Sequence, residues 1–346
     1  MDRRGFVRSA VVAGAGVLSM AGTSWAERIR VIPPPDPAES SGMPLIVPGR
    51  PLGRLLSRVR PGAVATAGAV VAVWLEGAGE PGAPPALTLE EAQRAGDLTI
   101  SERGRETVPE LVVDNRGKSF VLLLAGEILL GGKQNRVLRE DLLLPPLSGP
   151  RLVGVYCVEQ GRWNEGRRDF DSKASFAQPS LRREVVGQAD QARVWSEVAR
   201  SARIAAAPSP TGSYQQVYDK PEVQAHLAEA ERGLVAPAAE RTVGAAVYVH
   251  DRFTGLDAFA DPGLFARAWP KLLRAHAVEA YGRAAGPDVL EDKLRSRVQS
   301  LLAAIGDAPV TARANVGVGR LLELRLGAER GAALAFEGRV VHLAVL

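Results

Sequence analysis

The order of the apolar patterns constrains this chain most. Strand-like runs fill residues 62–165, helical periodicity takes over from 181 to 305, and alternating strand patterns return near the C-terminal end. Strands that return after a helical block belong in one sheet system with the earlier ones. The expectation is therefore one interleaved α+β domain over 62–346: an antiparallel β layer in the N-terminal half, a helical block of about four helices, then returning C-terminal strands. Val64–Leu75 reads as a strand, and Val108–Val113 and Phe120–Ala125 flank Asp114-Asn115-Arg116-Gly117, which predicts a β-hairpin. Thr88, with Glu91 three residues on, predicts a capped helix. Residues 181–204 form a helical stretch with Gly187 as its weak point. Asp219 with Glu222 caps the next helix, and Asp261-Pro262 opens one that Pro270 should kink or split. Leu290, Leu294, Val298, Leu301 and Ile305 mark the inward face of the last helix. Thr242–His250 and Leu256–Phe259 predict a second hairpin.

The first residues read differently. Arg3-Arg4-Gly5-Phe6-Val7 is a twin-arginine pair followed by apolar residues. The apolar stretch from Ser9 to Ala21 is too short to span a bilayer, and Ser24-Trp25-Ala26 offers small residues for cleavage. Residues 1–26 are expected to be a twin-arginine-type signal peptide cut near Ala26, and 27–61 a Pro/Gly-rich linker. The expectation is export through the twin-arginine translocase to a periplasmic or extracellular location, with no transmembrane helix in the mature chain.

Composition narrows the function classes. Aromatic residues make up only 5%, so Leu, Val and Ala must fill the core. The one cysteine, Cys157, excludes an internal disulfide or a multi-cysteine metal site, and with only four histidines no metal centre is expected. No compact basic run appears, so nucleic acid is not an expected partner.

Two segments carry the candidate chemistry. In Gly126–Arg136, Gly131 and Gly132 allow close approach of the backbone to a ligand, and Lys133, Gln134, Asn135 and Arg136 follow at once. The spacing is not that of a P-loop. In Cys157–Trp163, Cys157 and Glu159 share a strand face, and Arg162 adds a cation. A lone cysteine on an apolar strand reads as core. His276 reads as a core residue and His342 gives no functional signal. Charged residues set between apolar strands must pair, reach solvent or meet a ligand, so the two segments are expected to lie together and line a polar cleft.

These segments, with Pro109-Glu110-Leu111, Asn115-Arg116-Gly117, Gln191–Trp195 and Gly255–Phe259, resemble the ADP-ribosylglycohydrolase (ARG)- and rhodanese-phosphatase-superfamily-associated protein domain family. The resemblance covers roughly 62–346. That family has no established molecular function; its name implies a context of ADP-ribose or NAD-derived metabolism. Two function classes follow. One is a binding module for a small anionic or nucleotide-like ligand or a protein partner, with Gly131, Gly132, Lys133, Gln134, Asn135, Arg136 and Arg162 as binding residues. The other is a hydrolase with Glu127 or Glu159 as general base. The cofactor is left open.

Overall fold

A computed structural model describes residues 50–104, 109–163, 167–237, 240–285 and 290–346. Residues 1–49, which hold the expected signal peptide and most of the expected linker, lie outside the described residues. The fold is α+β, built on an antiparallel eight-stranded sheet of order β1-β2-β12-β13-β17-β16-β15-β14. Its strands are β1 (Arg60–Ala67), β2 (Val70–Glu76), β12 (Thr242–Val249), β13 (Arg252–Phe259), β14 (Val310–Ala314), β15 (Arg320–Leu326), β16 (Glu329–Phe336) and β17 (Arg339–Val345). Strands from both ends of the sequence meet in it, since β13 pairs with β17 and β12 with β2. Period-two alternation gives the sheet two apolar faces. Val71, Val73 and Leu75 face one core with Leu294, Val298 and Ile305, while Val70, Ala72 and Trp74 face the other. Helices α1 (Arg50–Leu56) and α8 (Glu291–Asp307) cover the first face. The second is covered chiefly by α7 (Pro262–Ala280), where Trp74 meets Trp269 edge-on with ring centroids 4.9 Å apart.

A smaller β unit sits on that second face. A six-stranded antiparallel sheet runs β11-β7-β8-β10-β5-β4. Its strands are β4 (Leu98–Glu102), β5 (Glu110–Asn115), β7 (Ile128–Gly131), β8 (Arg136–Leu138), β10 (Gly149–Cys157) and β11 (Phe170–Asp171). A bridge between Ser101 and Asp169, with the Glu102 N–H donating to the Arg168 carbonyl at 2.9 Å, joins the two outer strands. The sheet therefore closes into a barrel, which removes its free edges. Leu129, Leu138, Val155, Ile100 and Phe170 fill the interior, while Ile128, Val137 and Tyr156 point outward into the core shared with the large sheet. A three-stranded sheet of β3 (Ala86–Leu87), β6 (Phe120–Leu123) and β9 (Leu142–Leu144) packs against it, as does α2 (Leu89–Arg94). Of the remaining helices, α3 (Pro179–Val186) packs on β13 and β16 of the large sheet, α4 (Gln191–Ile204) on β10 of the barrel and on α3, α5 (Gln215–Asp219) on α4, and α6 (Pro221–Gly233) on α7 and β1.

Several local expectations hold. Thr88 and Glu91 form the reciprocal capping box, Asp261 caps α7, and β12 and β13 form a hairpin. Others are corrected. β5 and β6 do not pair: β5 lies between β4 and β10, and β6 between β3 and β9. The turn residue Asn115 donates instead to the carbonyls of Ser119 and Pro145, tying two sheets together. The run Val64–Leu75 is two strands, because Gly68 at φ 57° turns the chain. Residues 181–204 form two helices with a break after Val186. Asp219 does not cap α6; Lys220 stands at the N-cap and Asp219 accepts from Gln215 inside α5. Pro270 lies inside one continuous α7. In α8 the buried face is Leu294, Val298, Leu302 and Ile305; Leu301 is only half-buried, and Leu290, at the N-cap, is exposed.

Candidate site at the barrel mouth

Residues 131–136 are the connection between β7 and β8, and they fold over one end of the barrel. Two glycines make that turn possible. Gly132 has φ 49°, and a Cβ there would lie 2.2 Å from the Phe170 ring; a Cβ on Gly131 would lie 2.2 Å from the Asp169 carbonyl. Asn135 closes the turn by accepting from the Gly131 N–H at 3.1 Å. Because β8 pairs with β10 in the register Cys157↔Arg136, the second segment begins beside the first. The two segments do lie together.

Their charges are largely spent on one another. Glu159, 4% exposed, accepts from the Asn135 N–H at 3.1 Å, from Arg162 Nε at 2.8 Å and from the Thr211 hydroxyl at 2.7 Å. Arg162 also donates to the carbonyls of Gly131 and Gly132 and to Asn135 Oδ1. Gln134 donates to the Gln160 carbonyl, and Lys133 donates to the Gly104 carbonyl while its ammonium lies 4.8 Å from the ring centroid of half-exposed Trp163. Cys157 is buried, and burial pushes its thiol up, with Arg136 pulling the other way.

Arg136 is different. It shares the inward face of β8 with Leu138, is 0% exposed, and donates from Nη1 to the Gln134 carbonyl at 2.9 Å. Its Nε and Nη2 have no hydrogen-bond partner among the described residues. Glu102 comes from the inward face of β4; its Oε1 accepts from the Lys133 N–H and lies 3.7 Å from Arg136 Nη2, while its Oε2 also lacks a hydrogen-bond partner. Nε and Nη2 form the side edge of the guanidinium, the fork that takes a carboxylate or phosphate through two parallel bonds. A buried fork left open costs free energy unless something fills it.

Glu127 lies at the other end of β7, on the order of 13 Å away at strand spacing, so the two candidate bases do not share a site. It is 1% exposed and bonded to Lys271, which also holds Glu90 at 2.9 Å. Burial pushes Glu127 up to about 7, although Lys271 opposes the rise. Beside it runs a second buried chain that sequence reasoning missed. Arg182 holds Asp257 at 2.8 and 3.0 Å, Asp257 meets His342 Nε2 at 3.1 Å, and His342 Nδ1 meets Asp141 at 2.6 Å. Burial alone would lower His342, but Asp141 and Asp257 outweigh it and push the imidazole up to about 9. Burial likewise works against ionised Asp257, and Arg182 and His342 hold it well below the usual carboxylate range. Arg182 Nε also donates to the Ala125 carbonyl, and Asp141 accepts from the Ala125 N–H. This chain bolts the barrel to the large sheet. No hint of it exists in local sequence, because its members stand far apart in the chain. His276, read as core, is buried on α7, bonded to Thr254, and lowered by burial to about 4.

A closed barrel with a charged mouth, set on an eight-stranded antiparallel sheet, defines a mixed α+β protein. The family model of the ARG and Rhodanese-Phosphatase-superfamily-associated Protein domain matches residues 58–346, and the chain belongs to that family. No curated protein and no solved structure matches the chain. Among the described residues, no helix is long and apolar enough to cross a membrane.

Proposed function

We propose that this chain is an exported binding module for a small anionic ligand, taken up at the barrel mouth by Arg136 with Gly131, Gly132, Lys133, Gln134, Asn135 and Arg162 around it. The observation that carries the reading is the open guanidinium fork: Nε and Nη2 of Arg136, at 0% exposure, without hydrogen-bond partners among the described residues. A carboxylate or phosphate oxygen pair satisfies both donors at once. At the rim the Lys133 ammonium lies 4.8 Å from the ring centroid of half-exposed Trp163. The family context makes nucleotides and ADP-ribose the first compounds to try.

Binding is preferred to hydrolysis because both candidate bases already accept several donors: Glu159 from Asn135, Arg162 and Thr211, and Glu127 from Leu124 and Lys271. The oxygens of Glu159 are thus taken up by structural donors, and Glu127, although raised to about 7, lies buried at the other end of β7 from the open fork. The test is a thermal-shift screen with nucleotides, ADP-ribose, sugar phosphates and simple carboxylates. At least one is expected to raise the melting temperature of the wild type and to lose most of that effect in Lys133→Ala. A screen in which no anion stabilises the protein overturns the reading.

A further inference from the structure

A cluster of arginines without carboxylate partners among the described residues lies away from the barrel mouth. On the face of β15 that carries Leu321, Glu323 and Arg325, every second residue looks toward the end of α3. Arg325 stands directly opposite Arg330 of β16. Like charges opposite one another destabilise a strand pair, and sheets ordinarily avoid them. Neither guanidinium has an ion pair or side-chain hydrogen bond among the described residues. Both line a cleft of about 370 Å³, within the size range of small-molecule sites, between Gly187 at the end of α3 and the β14–β16 strands. Arg139 lines it too, its guanidinium 4.7 Å from the Tyr156 ring centroid and likewise without a carboxylate partner among the described residues.

The acids in the same cleft do not balance these charges, because each is already occupied. Glu140 accepts from Arg313, and Glu323 accepts from Arg313 Nε and Gln188. Asp141 takes the Ala125 N–H on one oxygen and His342 on the other. Glu140 and Glu323 share the one cation Arg313, so one negative charge is left against Arg325, Arg330 and Arg139, and the concavity keeps an excess of positive charge. Ala332, on the same face of β16 as Arg330, is small and leaves room above the strands. A dianion seated between the two guanidiniums turns the repulsion across the rung into two attractions.

We propose that this cleft is a phosphate site, taking inorganic phosphate or the terminal phosphate of a small monoester on the Arg325–Arg330 rung. The site uses none of the barrel-mouth residues, so its test is independent of the proposed function above. Calorimetric titration of the full chain with inorganic phosphate and with glycerol 3-phosphate, at ionic strength matched with chloride, reads it. Saturable one-to-one binding is expected. If both ligands bind, the site recognises a terminal phosphate; if only the inorganic ion binds, the free ion is the ligand. Arg325→Gln and Arg330→Gln are each expected to weaken binding about tenfold or more, the loss of one charge-assisted contact. Lys133→Ala is expected to leave it unchanged. Arg330→Glu, which replaces a repulsive rung by an attractive one, is expected to abolish binding and to raise the melting temperature without phosphate. Heats that match the chloride control, or affinities untouched by the two Gln variants, overturn the proposal.

Discussion

Arg182 carries a full charge at 3% side-chain exposure, and that is tolerable only because Asp257 takes two of its hydrogen bonds. Arg182→Met removes the cation and leaves Asp257 buried with His342 alone. The expected loss is about 3–5 kcal/mol in urea unfolding, the usual range for breaking a buried pair. A change below 1 kcal/mol would mean that the network contributes little. Cys157 makes a milder case. It was legible from the sequence as a core thiol, because an isolated cysteine on an apolar strand has few other uses. Cys157→Ser puts a hydroxyl into that site and should cost about 1–3 kcal/mol while leaving ligand affinity intact. His342 was not legible. Its two partners lie 201 and 85 residues away, and only the sheet register brings Asp141 and Asp257 to either side of its ring.

The β7–β8 turn shows what was readable at the scale of an element. The glycines and the polar run after them marked a tight connection, and β7 and β8 do pair across it. Gly132→Ala tests how tight. Its φ of 49° disfavours any side chain, and the added Cβ meets the Phe170 ring, itself 2% exposed in the barrel core. A destabilisation of about 1–3 kcal/mol is expected. Gly96→Ala serves as the control, since its φ of 75° carries the backbone strain but its Cβ would meet open space. Equal losses in the two variants would show that Phe170 yields easily. Pairing partners were the weaker part of the sequence reading. A turn between two apolar runs at 114–117 suggested a hairpin, yet β5 and β6 belong to different sheets. Local turn chemistry reports where the chain bends and not which edge it joins, and barrel closure decided that here. The split of 181–204 was half visible in Gly187, which now ends α3 as its C-cap.

Across the whole molecule, the sheet order and the alternation of strand, helix and strand agree, since the C-terminal strands insert beside β13 and complete the large sheet. The buried charges make this assembly sensitive to pH. His342 is raised to about 9 from its ordinary 6.5, so its contribution is complete below pH 6.5 and is lost as pH rises through 9. That shift corresponds to roughly 3 kcal/mol. Asp257 acts oppositely: its contribution is present above its ordinary value near 3.8 and is lost only in strong acid. Melting temperatures should therefore fall between pH 6.5 and 9.5, and His342→Gln should flatten that slope; a wild-type profile flat over the same window would contradict the assignment. Export is tested separately. Replacing Arg3 and Arg4 by Lys should hold the precursor in the cytoplasm, and the normal product should begin at Glu27. The central claim, that Arg136 is a ligand-binding fork, is tested most directly by Arg136→Lys, which keeps the charge and removes the paired donors. The measurement is the dissociation constant of the best ligand from the thermal-shift screen, for wild type and variant side by side. Binding is expected to weaken by about tenfold or more, the loss of one charge-assisted contact, in a variant that still melts cooperatively. An unchanged dissociation constant in that folded variant would contradict the claim.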